Sequence, residues 1–142
     1  EYRMTSQLNV DTIVDKAGSG GTNIKVKGSN STYVSEGGTG TQSLVQGIGK
    51  AWYDLDGTGT VALDDSFNCA TLTDNGTGAY NIAYTNSMSS ANYASLFGGT
   101  SQTDTGTTAV ATGSHTILVR QGFDSTTIDA DPIYSGIFGD LA

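Results

Sequence analysis

Positive charge is scarce in this chain: 6 Lys and Arg stand against 14 Asp and Glu, for a formal net charge of −8 and a pI near 4.1. A negative surface repels phosphate backbones and acidic headgroups, so the sequence argues against nucleic acid as a partner. Cysteine, proline and histidine occur once each. The lone Cys69 excludes an intrachain disulfide, and with it a disulfide-stapled scaffold. The lone His115 sits in a strand-like run, "SHTILVRQ", with no nucleophile or second ligand beside it, so a triad or zinc set is not expected. Charged residues make up only 14%, which argues against long surface helices of Glu and Lys. No stretch approaches the ~20 apolar residues that cross a bilayer, and no basic-then-apolar leader opens the chain, so membrane insertion is not expected.

What is abundant points to β-structure. There are 20 Gly, with Ser and Thr plentiful; Thr, Tyr, Val and Ile suit a pleated surface, while Gly and Asn supply turns. From residue 50 onward, short alternating runs follow one another at close spacing: "AWYDL" (51–55), "TVALDDSFNCATL" (60–72), "AYNIAYT" (79–85), "NYASLF" (92–97), "TAVAT" (108–112), "HTILVRQ" (115–121) and "IYSGIFG" (133–139). That pattern predicts an all-β fold, an antiparallel sandwich or jelly roll. "NSMSSANYASLF" (86–97) reads as a turn leading into a strand, despite its Ala, Met and Leu.

Residues 1–49 differ from the rest. Apolar residues there are sparse and separated by the glycine runs at 17–22, 36–42 and 47–49. Such a segment buries too little surface to offset its ordering entropy alone. The expectation is an extended N-terminal arm (1–49) for anchoring and oligomerisation, followed by a knob domain (50–142).

One stretch admits two readings. "YDLDGTGTVALDD" (53–65) places Asp54, Asp56, Gly59 and Asp65 at positions 1, 3, 6 and 12 of a calcium loop. Thr58 at position 5, the short Asp65 at position 12 and strand-like flanks weigh against it. As a hairpin it needs only turn geometry at Asp56 and positive φ at Gly57 and Gly59. "DGTGTVAL" (56–63) and "NGTGAYNI" (75–82) echo one another, as two hairpins built alike would. The acidic pairs Asp64–Asp65 and Asp129–Asp131 match a glycosidase's two carboxylates only as any acidic protein would. Cys69 alternates as a small core or interface residue, and the Asn-X-Thr matches at 30–32 and 75–77 come readily from an Asn/Ser/Thr-rich chain. No catalytic residue, cofactor or metal is expected.

The run Gly49 to Phe97 then resembles a domain of structural and fibre-like proteins of tailed bacteriophages, notably marine ones. The shared features are Lys50–Trp52, Asp56–Thr60, Ser66–Asn68, Thr73–Gly78 and Ala91–Tyr93, with "IYSGIFGD" as a closing strand. "SQLNVDTIVDKAGSG" is similar to the openings of such virion proteins, and "GGTGTQSL" to a fibre connector. Members carry Asn where this chain has Asp54 and Asp56, which favours the hairpin. The resemblance implies a virion structural protein and no enzyme: a homotrimeric fibre or knob subunit contacting other virion proteins, capsid or tail, and in reach of a host-surface glycan. A capsid decoration (cement or head-fibre) protein is the alternative within that class. From another class, a carbohydrate-binding module would use Trp52, Tyr53 and Tyr93 as its stacking surface. The expected core is Trp52, Phe67, Leu72, Ile82, Ile117 and Val119.

Overall fold

The computed structural model describes residues 32–35, 39–100, 103–122 and 125–142. Most of the expected arm, residues 1–31, lies outside the described residues. Its described part is a short hairpin followed by a helical turn. β1 (Thr32–Val34) pairs antiparallel with β2 (Thr41–Ser43), and a single helical turn, α1 (Leu44–Gly47), follows. Ser43 caps that turn, its Oγ accepting from Gln46 N at 3.3 Å. Gln46 Nε2 in turn donates to Asp140 Oδ2 at 3.0 Å, and Lys50 Nζ donates to the carbonyls of Val45 and Ile48.

Eight further strands form two four-stranded sheets, all paired antiparallel: β3 (Ala51–Asp56), β4 (Ala62–Phe67), β5 (Cys69–Asp74), β6 (Ala79–Tyr84), β7 (Ala94–Gly99), β8 (Thr103–Ala111), β9 (Ser114–Gln121) and β10 (Ile133–Phe138). The strand orders are β4-β3-β10-β7 and β5-β6-β9-β8. Strict alternation of buried and open positions falls on the four central strands β3, β10, β6 and β9, as expected where one face is packed and the other open. Tyr53, Leu55 and Ile133 of the first sheet share one buried cluster with Tyr80, Ile82, Ile117 and Val119 of the second. A second cluster gathers Ala51, Tyr84, Met88 and Ile137.

Three of the six expected core residues, Ile82, Ile117 and Val119, are fully buried, and Leu72 packs partly against them. Trp52 and Phe67 are corrections: they face outward, paired across β3 and β4. Alternation places residue 52 opposite the buried set 51, 53 and 55, and the large ring follows the backbone.

The 53–65 stretch is a hairpin. Asp56 pairs with Ala62 and Leu55 with Leu63, with a bulge between Asp54 and Leu55. Asp56 Oδ1 accepts from Thr58 N (2.7 Å) and Thr58 Oγ1 (2.6 Å), closing an Asx-turn. Those bonds hold the Asp56 carboxyl below its ordinary pKa. Gly59 takes φ +57°. Gly57 does not need positive φ; it needs space, since a Cβ there would lie 2.9 Å from Ala130 O and press on the Tyr80 hydroxyl.

The run 60–72 is not one strand. Asn68, at φ 59°, turns the chain from the first sheet into the second, a conformation Asn tolerates better than most residues. Its side chain fixes the corner: Oδ1 accepts from Asn86 N at 2.7 Å, and Nδ2 donates to Lys50 O at 2.9 Å.

Candidate functional site

The inner faces of the two sheets are alike, but the outer faces are not. On the β4-β3-β10-β7 sheet, the register aligns Phe67, Trp52, Gly136 and Leu96 in one row across all four strands. Phe67, Trp52 and Leu96 are 53%, 43% and 62% exposed. The next row carries Asp65, Asp54, Tyr134 and Gly98, with Tyr134 48% exposed.

Glycines shape this face. A Cβ at Gly98 would meet Tyr134 Cβ and Cδ2 at 3.8 Å, and one at Gly136 would meet Phe138 Cε2 at 3.5 Å. Both distances are ordinary van der Waals contact, so the two side chains pack beside these glycines. Beside Tyr134, Asp54 Oδ1 is buried and finds no hydrogen-bond partner among the described residues. Asp131, just before β10, has its carboxyl raised by burial and then by the charges of Asp56, Asp64 and Asp54. The face is aromatic at one end and acidic at the other.

Two rows of the outer face of the β5-β6-β9-β8 sheet carry small neutral groups, and Leu118 follows them. Thr73, Asn81, Thr116 and Ala109 form one row, and Thr71, Ala83, Ser114 and Ala111 the next. Asn81 Nδ2 donates to Thr116 Oγ1 at 3.0 Å within it.

Of the three expected stacking residues, only Trp52 is open. Tyr53 is 1% exposed, part of the core between the sheets. Tyr93 is half-buried, its hydroxyl donating toward Ser114 O (3.0 Å) and Ala111 O (3.2 Å). Sequence reasoning missed Tyr134 and Leu96. Alternation in "IYSGIFG", with Ile133 and Ile137 inward, was the available signal for Tyr134.

His115 is not a plain strand residue. It is buried between Tyr53 and Tyr84, with Nε2 3.0 Å from the Tyr53 hydroxyl and Nδ1 2.7 Å from the Tyr84 hydroxyl. Both phenol rings stack on the imidazole, at 5.7 and 5.6 Å between centroids. A neutral imidazole donates from one nitrogen and accepts at the other, so both ring nitrogens are satisfied. Burial pushes its pKa down to about 4 and raises both tyrosines. Burial also pushes the Cys69 thiol up to about 11, the environment of an inert thiol and not of a nucleophile. Cys69 Sγ lies near the Trp52 and Phe67 carbonyls, so His115 is not its partner.

The acidic pairs divide as well. Asp129 Oδ1 is structural: it accepts from Gly78 N at 2.7 Å and from the Tyr80 hydroxyl at 2.8 Å. Among the described residues no group of three or more His, Cys, Asp or Glu side chains is placed to hold a metal ion, and no helix is long and apolar enough to cross a membrane. Set against known protein families, curated proteins and solved structures, the chain matches none.

Proposed function

We propose that this protein is a structural subunit of a tailed-bacteriophage particle: a β-sandwich of jelly-roll type, anchored through its N-terminal segment and assembled as a homotrimer with other virion proteins. The phage context rests on the combination of motifs between Lys50 and Tyr93. The observation that carries the assembly reading is the apolar surface of residues 32–35 and 39–48. Tyr33, Val34, Val45 and Ile48 all lie exposed on a hairpin and helical turn. Apolar side chains gathered on so small an element make sense when a neighbouring chain covers them. Closed cyclic symmetry is the usual arrangement for repeated subunits, and the fibre resemblance makes it three-fold.

Light scattering on the full chain tests this. The expected mass is three times that of the 14.6 kDa chain. Replacing Tyr33, Val34 and Ile48 together by Asp should return it to the single-chain mass with the sheets still folded. A full chain that stays monomeric, or a triple variant that assembles like the parent, would overturn the reading.

A further inference from the structure

The outer face of the β4-β3-β10-β7 sheet has its own chemistry, different from that of the hairpin and helical turn that precede it. We propose that this face is a carbohydrate-binding platform for a non-acidic pyranose chain, centred on Trp52 and Tyr134 and bordered by Phe67, Phe138 and Leu96. It does not depend on the assembly reading, since every residue it uses belongs to the β4-β3-β10-β7 sheet.

Three observations converge on that ligand. First, the rings are disposed for stacking. Tyr134 packs beside Gly98 and Phe138 beside Gly136, both rings on the strand next to that of Trp52, about 4.8 Å away. A pyranose presents a face of C–H bonds polarised by its oxygens, which suits the electron-rich face of an aromatic ring. Second, the face offers an acceptor that lacks a donor. Asp54 Oδ1, opposite Tyr134 in the register, is buried without a partner among the described residues, and an orphaned buried acceptor calls for an explanation. A small rotation of the Asp54 side chain would bring this oxygen to the surface, where a sugar hydroxyl flanking a stacked ring could donate to it.

Third, charge narrows the choice. Asp54 and Asp65 stand in the row beside the aromatics, and Asp56, Asp64 and Asp131 lie close enough to act on one another. Of the chain's 6 cations, Arg3, Lys16, Lys25 and Lys27 fall within residues 1–31, leaving Lys50 and Arg120. Lys50 is buried against carbonyls and Arg120 lies on the other sheet. Among the described residues no free cation faces this row, so a uronic, sialic or sulfated glycan would meet repulsion there, whereas a neutral or amine-bearing one would not. The same charges disfavour a second copy of this face as the occupant, because each would bring its aspartates against the other's.

The test is a glycan array carrying neutral, amine-bearing and acidic glycans, probed with the labelled full chain. Binding confined to non-acidic glycans is expected. Trp52 is the sole tryptophan, so its emission should shift saturably with the soluble form of the strongest array glycan. Tyr134→Ala should weaken binding at least about tenfold, and so should Asp54→Asn, which keeps the side chain's shape. Thr73→Ala on the other face should leave it unchanged. An array with no signal, a signal confined to acidic glycans, or one indifferent to both substitutions would overturn the proposal. So would a Trp52 emission already buried in the full chain and unmoved by glycan; that result would assign the face to a protein cover such as the lysine-bearing N-terminal segment.

Discussion

The two sheets of this protein do the same work inward and different work outward. Inward, Leu55 and Ile133 on one sheet and Ile82 and Ile117 on the other are equally buried. Outward, one sheet carries Phe67, Trp52, Leu96 and Tyr134 while the other carries Thr73, Asn81, Thr116 and Ser114. The threonine-rich rows show that this fold accepts short, neutral, hydrogen-bonding groups on an outer surface. The aromatic face therefore exceeds what stability requires, and large apolar side chains left in water mark a contact surface.

The largest expected effects lie on the shared inner layer. Ile82→Ala and Ile117→Ala, one on each of two paired central strands, should each cost about 2–5 kcal/mol in denaturant unfolding. Leu55→Ala on the other sheet should cost as much. A cost below ~1 kcal/mol on one sheet alone would mean that the two do not share one core.

His115 tests the same layer through pH. Burial holds its folded pKa at about 4, below the ~6.5 of an unfolded histidine. Between those values the unfolded chain takes up a proton that the folded chain refuses. Stability present above pH 6.5 is therefore lost as the pH falls toward 4, by on the order of 3 kcal/mol if the shift is fully expressed. Thermal melts at stepped pH should show the decline, and His115→Gln should remove its histidine component. A parent and variant with the same slope between pH 6.5 and 4 would contradict a buried neutral imidazole.

Outer-face substitutions should be smaller and should separate stability from binding. Phe67→Ala, at a position 53% exposed, should cost less than about 1 kcal/mol, and Thr116→Ala on the other sheet about as little. Equilibrium unfolding checks both; a loss of 3 kcal/mol at Phe67 would place its ring in a core. The smallest effect concerns the 53–65 hairpin. Millimolar calcium or a chelator should leave the melting temperature unchanged, because a ligand stabilises only by binding the folded state. A rise of several degrees, abolished when Asp54 and Asp56 both become Asn, would restore a cation role for that turn.

The alternation of Ala51, Tyr53 and Leu55 was legible in the sequence, as were the hairpin at 53–65 and most strands. Trp52 faces outward because phase, not size, decides the side of a strand a residue takes, and Phe67, opposite it on β4, shares that face. β8 was legible only over its last residues, because "TDTG" alternates in nothing apolar; its pairing with β9 makes it a strand. The corner at Asn68 is a single residue inside a continuous β-like run, and its partners Lys50 and Asn86 lie 18 residues away on either side. His115 could not be read as a core group, since its two tyrosines are 62 and 31 residues distant. The aromatic face itself is a product of register, because Phe67, Trp52, Leu96 and Tyr134 come from four strands.

The contrast between the two outer faces can be measured directly by hydroxyl-radical footprinting of the full chain, free and bound to the glycan it retains most strongly. Protection of Trp52, Phe67, Leu96 and Tyr134 is the predicted result, with Leu118 on the outer face of the other sheet labelled equally in both states. Protection of Leu118, with Trp52 and Tyr134 labelled as in the free chain, would contradict it.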